Sequence, residues 1–154
     1  MNSEQIKHLE MIQGVVNRLS SDSFAYKAWA IGLVSALFAL AASTSRPFFL
    51  PIAVLPTTAF WGLDAYYLLQ ERHFRSLYDA VRSMPYEEWA RNPFSMDTRP
   101  HRKSMDTWLR VLASRTIAGL YLPLLLVVLA ATVAAFTCTV LDALHAPGRA
   151  CRGR

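Results

Sequence analysis

Three stretches of the chain carry no charged residue: 28–45, 47–63 and 116–141. A run of about 17 or more apolar residues is long enough to cross a bilayer as a helix. A single small domain has no core large enough to bury three such helices, so a membrane is their expected environment. The third run is the most apolar, and Thr132 is the only polar residue between positions 122 and 133. With 53% hydrophobic residues and a mean hydropathy of +0.22, the 154-residue chain is too apolar for a typical soluble domain of its size.

The second run leads directly into a charged helix. Apart from Gly62, nothing between positions 57 and 83 breaks helical periodicity. Residues 51–83 would span roughly 50 Å, against a bilayer core of ~30 Å, so this helix should protrude from one side. Pro51 and Pro56 fall in its first turns, which membrane helices tolerate where neighbours re-satisfy the freed backbone groups. Phe60, Leu63, Tyr67, Gln70, Phe74, Leu77 and Val81 recur at alternating spacings of three and four, a heptad seam running from the apolar half into the charged half. Gln70 is its one polar member, and Arg72, Arg75, Asp79 and Arg82 occupy the opposite face.

The remaining segments follow in order. Residues 1–23 read as an amphipathic helix with Leu9, Ile12, Val16 and Leu19 on one face. Ser20-Ser21-Asp22-Ser23 suggests a joint or a fresh helix cap. A first crossing over 24–43 carries Ala28, Gly32, Ala36 and Ala39 on one face, a spacing of small residues that permits close helix contact. The second crossing spans 47–69, with its extension over 70–84. A loop with short helices occupies 85–115, in which Ser104 reads as a cap for a helix continuing into the third crossing, 116–142. Residues 143–154 form a basic tail expected to be disordered. The fold class is therefore all-α: an integral membrane protein with three transmembrane helices and a cytoplasmic helical stalk that extends all three. The amphipathic helix and the extension of the second crossing should pair antiparallel in that stalk, with the 104–115 segment as a third member.

Counting lysine and arginine sets the orientation. Lys7, Arg18, Lys27 and the nine basic residues from Arg72 to Arg115 fall on one side of a three-crossing arrangement, and Arg46 with Arg149, Arg152 and Arg154 on the other. The richer side is the cytoplasm, which places the N-terminus and the long connection there and the tail outside. Ala39-Leu40-Ala41 resembles a signal-peptide cleavage site, but the long acidic-containing segment before it is unlike a signal n-region, so the first crossing is expected to remain uncleaved.

Little in the chain points to catalysis. Asp64 lies near the cytoplasmic end of an apolar run, where a carboxylate is a candidate polar site, with Lys27 or Arg115 as its partner. His8, His73, His101 and His145 are scattered without metal-ligand spacing and read as surface residues. No nucleophile elbow, zincin or phosphate-loop motif occurs. Cys138 sits in an apolar run and Cys151 in the tail, which argues against a bridge between them. The net charge of +5 comes without a nucleic-acid-binding pattern. No cofactor, metal or nucleic acid is expected.

Two segments carry a likeness to known sequences. They are Phe60-Trp61-Gly62-Leu63-Asp64-Ala65-Tyr66-Tyr67-Leu68-Leu69-Gln70-Glu71-Arg72, followed by Phe74-Arg75-Ser76-Leu77-Tyr78-Asp79, and Phe94-Ser95-Met96-Asp97-Thr98. They resemble a widespread group of small, uncharacterised bacterial inner-membrane proteins, over most of residues 5–125. The layout is loosely similar to RipA-like oligomeric membrane proteins. The resemblance implies a bacterial membrane location and a homo-oligomer, and brings no catalytic residues.

The functional expectation is a non-enzymatic, self-associating membrane scaffold or interaction protein. Its candidate packing or oligomer seam comprises Phe60, Leu63, Tyr67, Gln70, Phe74, Leu77, Val81, Gly32 and Ala36. Alternatives are an oligomeric pore or membrane-perturbing effector in stress or phage defence, resting on Asp64 and the prolines, and an accessory subunit that needs an unidentified membrane partner. The bilayer and further copies of the chain are the other expected partners.

Overall fold

The computed structural model describes residues 2–44, 46–101 and 107–145, with 142–145 described for their backbone. The described residues are all-helical, and three helices are long and apolar enough to cross a membrane. α1 runs over Ser3–Thr44, α2 over Phe49–Ile52, α3 over Val54–Ser83, α4 over Tyr86–Trp89, α5 over Trp108–Leu112 and α6 over Arg115–His145, with a 3-10 turn at Arg99–His101.

The joint expected at residues 20–23 is absent. α1 is one uninterrupted helix of 42 residues, about 63 Å long. Its buried positions explain the continuity. Leu9, Ile12 and Val16 are followed at helical spacing by Ser23, Ala30, Val34 and Ala41, so the inward face runs the full length. At its start Ser3 N–H bonds Asn2 Oδ1 at 2.9 Å and Asn2 N–H bonds Gln5 Oε1 at 3.4 Å. The Gln5 side chain thereby satisfies one N-terminal donor of its own helix.

α3 packs antiparallel along α1. α2 and α3 join through Ala53, which keeps a helical φ of −63° and ψ of −17°, so the two form one apolar span, Phe49–Ser83. Pro51 and Pro56 flank this point, and each removes a backbone donor from the helical ladder. α3 ends where Met84 turns to an extended ψ of 133°, as sterics require of a residue preceding proline, here Pro85.

Three apolar clusters follow one another along the bundle. At the charged end, Leu9, Ile12 and Val16 of α1 pack on Leu77 and Val81 of α3, closed by Trp89. In the middle, Ala30, Ala65, Val111, Ile117 and Tyr121 join α1, α3, α5 and α6. At the far end, Val34, Ala53 and Val128 meet.

The last third of the chain differs from expectation. Among the described residues, α5 does not run on into the third apolar run. α5 stops at Ala113, which leaves helical geometry at φ −84° and ψ 3°, and α6 starts afresh with the Ser114 carbonyl accepting from Ile117 and Ala118 N–H. The proposed Ser104 cap lies outside the described residues. α5 folds against the middle of α3 instead of joining its charged end, so among the described helices α1 and α3 run through both halves and α4 closes the charged end. α6 continues through His145, three residues past the expected boundary at 142, and the rest of the tail is outside the described residues.

Candidate functional site

Thr57, Asp64 and Glu71 recur every seven residues on α3 and all three are buried. Seven residues are nearly two helical turns, so the three form a polar line inside the bundle. Each is satisfied differently. The Thr57 hydroxyl donates to Ala53 O at 2.7 Å, a bond internal to its helix. Glu71 Oε1 accepts from Arg75 Nε at 2.8 Å and lies 2.7 Å from Nη2 of the same guanidinium, one turn away. Asp64, 0% exposed, reaches across to α1.

There Ser23 and Lys27, one turn apart, face it together. Lys27 Nζ lies 2.8 Å from Asp64 Oδ1 and 2.7 Å from Oδ2, and also donates to Ser23 Oγ at 2.8 Å and Ser23 O at 3.4 Å. The Ser23 hydroxyl donates to Asp64 Oδ1. Lys27 is one-quarter exposed, so its stem runs along the helix while its ammonium turns inward. Tyr121 of α6 completes the surroundings. Its ring stacks on Trp61 with centroids 6.2 Å apart and planes 5° from parallel. Its fully buried hydroxyl lies close enough to feel the Asp64 charge but closes no hydrogen bond of good geometry.

Asp64 and Lys27 are thus brought together as the charge pattern suggests. Arg115 is not part of the pair: it begins α6 with an exposed side chain. Ser23 and Lys27 superficially form a serine–lysine dyad, but the geometry opposes nucleophilic chemistry. Lys27 spends its donors on Asp64 and Ser23, and an ammonium has no lone pair with which to take the serine proton. The chemical effect of the cluster is to join α1 to α3 in one register.

Two tryptophans lock α5 beside this pair. Trp61 Nε1–H donates to Leu112 O at 3.1 Å, and Trp108 Nε1–H donates to Gly62 O at 3.2 Å. The Leu112 carbonyl lies at the end of α5, where no helical N–H is left to donate to it. The Trp108 ring lies over Gly62 at ordinary packing distance, since a Cβ there would meet Trp108 Cζ2 at 3.5 Å.

The second polar cluster closes the charged end of the hairpin. Gln5 Nε2 donates to Met84 O at 3.1 Å, tying the start of α1 to the end of α3. His8, read from sequence as a surface residue, is 1% exposed. Its Nδ1 accepts from Trp89 Nε1–H at 3.0 Å and its Nε2 lies 3.1 Å from Ser95 O. An indole N–H only donates and a carbonyl only accepts, so the pairing requires the Nε2–H tautomer. Phe94, at a positive φ of 58°, turns the loop so that its ring meets Trp89 edge-on at 5.5 Å. His73, also read as a surface residue, is buried as well. His101 is half-buried, and no side chain of His145 is described.

The seam residues divide. Leu77 and Val81 are buried against α1 with Phe74 packed beside them, Phe60 joins the middle cluster, and Tyr67 meets the Tyr26 ring at 5.0 Å. Gln70 stays within α3, donating to Tyr66 Oη at 3.0 Å. Leu63 points outward. Gly32 and Ala36 are exposed, and open space lies where a Gly32 side chain would stand. Among the described residues no three His, Cys, Asp or Glu side chains come together as a metal-binding set.

No family model matches this chain, and neither a curated protein nor a solved structure matches it.

Proposed function

We propose that this is a non-enzymatic, multi-pass protein of the bacterial inner membrane that acts as a self-associating scaffold. In this reading α1, α2–α3 and α6 are the three crossings, and the charged half of the α1–α3 hairpin is a stalk in the cytoplasm with the N-terminus. The lysine and arginine distribution supports that orientation.

The observation that carries self-association is the outward face of α1. Gly32 and Ala36 are exposed in its most apolar part, with open space where a Gly32 side chain would stand, and the larger Trp29, Leu33 and Leu40 beside them are exposed too. A small-residue face gains little from lipid contact and much from close approach of another helix backbone. The heptad seam of α3, by contrast, is largely occupied within the chain by α1. A pore draws less support, because Asp64 is enclosed and paired with Lys27 instead of lining an open path.

The test is disulfide cross-linking of Ala36→Cys in membranes, with Cys138 and Cys151 replaced by serine. A cross-linked dimer is expected at Ala36→Cys and not at Leu55→Cys on the exposed face of α3. Equal or absent cross-linking at the two positions would contradict the reading.

A further inference from the structure

At the end of the bundle remote from the hairpin tip, α1, α2 and α6 frame a groove of about 420 Å³. That volume falls within the ~300–1,000 Å³ of ordinary ligand sites. Its walls are apolar: Phe38, Ala41 and Ala42 come from α1, Leu50 from α2, and Ala135 and Cys138 from α6. The three alanines keep it open, since larger side chains there would fill the space between the helices. Pro47 and Thr139 also line it, and neither offers a free donor. The Thr139 hydroxyl donates to Phe136 O at 2.7 Å within α6. Pro47 has no N–H, and its carbonyl accepts from Leu50 N–H at 3.1 Å. Ordered water needs two to four polar partners, so hydrocarbon suits these walls better.

Charge stands at the mouth. Arg46 is exposed and joins directly to Pro47, and its carbonyl accepts from Phe49 N–H at 3.5 Å, which fixes the turn into α2. It is the only charged residue between positions 28 and 63. In the segment that follows the uncharged run of α6, Asp142 is the one carboxylate against Arg149, Arg152 and Arg154. This end of the chain is therefore basic and complementary to an anion.

We infer that the groove binds a phospholipid, with an acyl chain along Phe38, Leu50 and Cys138 and the phosphate held by Arg46. The inference rests on the reading of α1, α2–α3 and α6 as membrane crossings, which surrounds the groove with hydrocarbon. A guanidinium pairs with phosphate through two parallel N–H bonds. A second copy of the chain would instead bring four arginines and a single carboxylate to Arg46.

The test titrates the delipidated full chain in mild detergent with phosphatidylglycerol and counts bound lipid by native mass spectrometry. Saturable binding of one phospholipid per chain is expected. Arg46→Gln should weaken it about tenfold, as loss of a charge-assisted pair requires, and diacylglycerol with the same acyl chains should bind the wild type correspondingly less. Ala42→Leu/Ala135→Leu, which fills the groove, should weaken binding at least as much, whereas Ala134→Leu, on an exposed part of α6, should not. Unchanged helix content in each variant shows that the fold is intact. A chain that alkaline carbonate strips from membranes would overturn the membrane reading and this inference with it. A chain that stays in the membrane would overturn the inference alone if it binds no phospholipid, binds diacylglycerol equally, keeps wild-type affinity in Arg46→Gln or in the filled groove, or forms a Cys138 disulfide dimer in place of binding lipid.

Discussion

Lys27 Nζ sits 2.7 Å from Asp64 Oδ2, and this contact joins α1 to α3 midway along the bundle, beside the start of α6. It makes the two helices interdependent. Shifting one against the other by a turn would leave Asp64, fully enclosed, without its cation. Removing Asp64 alone, as in Asp64→Ala, should cost about 3 kcal/mol, since the ammonium loses its counter-charge. The figure belongs at the lower end of the range for buried pairs because Lys27 is one-quarter exposed and its stem can carry the charge outward. Asp64→Asn should cost less, because the Ser23 hydroxyl still finds an acceptor. Replacing both partners by apolar residues, Lys27→Met with Asp64→Leu, should restore most of the loss. Thermal unfolding in detergent, analysed as a double-mutant cycle, measures all three.

α1 is continuous through residues 20–23, and that has a direct test. Ser21 is exposed and its substitution removes no packed side chain. Ser21→Pro should destabilise the protein by about 3 kcal/mol or more, the penalty for proline in a helix interior. Ser21→Ala should leave stability unchanged or slightly raised. A proline tolerated at this position would mean that two helices meet there.

The His8 bridge gives a third outcome. His8→Phe keeps an aromatic ring but leaves the Trp89 N–H and the Ser95 carbonyl without their partner. A loss of about 1–3 kcal/mol is expected from the stranded polar groups. Hydrogen exchange should quicken in α4 and around Ser95 while the Asp64 region keeps its protection, because the two clusters lie at different levels of the hairpin.

Trp61→Phe tests the clasp on α5. The ring stack on Tyr121 survives in part, whereas the Leu112 carbonyl loses its donor, for a cost of about 1 kcal/mol. Chemical labelling of a cysteine placed at Leu109 should report greater mobility of α5 in this background.

Much of the fold was legible because the governing forces are local. Uncharged runs and three-four spacing are written in consecutive residues, and they reveal three apolar helices and the pairing of Leu9, Ile12 and Val16 with Leu77 and Val81. Asp64 stood out for the same reason, as a charge beside an apolar run, and Lys27 was within reach as its partner. The parts that escaped depend on distant partners. Ser20-Ser21-Asp22-Ser23 looks like a cap when read alone, yet Ser23 has its hydroxyl satisfied by Asp64, 41 positions away. His8 looks like a surface residue until Trp89 and Ser95, 81 and 87 positions away, supply both its hydrogen bonds. The break before α6 did have a local signal. Ser114 precedes the first turn of α6, a position that favours serine, although here only its carbonyl, and not its hydroxyl, takes up the helix's N–H groups.

Self-association is the central claim, and the detergent-corrected mass of the purified protein tests it most directly. The wild-type chain should run as a discrete homo-oligomer, and Gly32→Leu/Ala36→Leu, which fills the exposed small-residue face of α1, should shift it to monomer without lowering helix content. A wild-type mass equal to one 17.3 kDa chain would contradict the account.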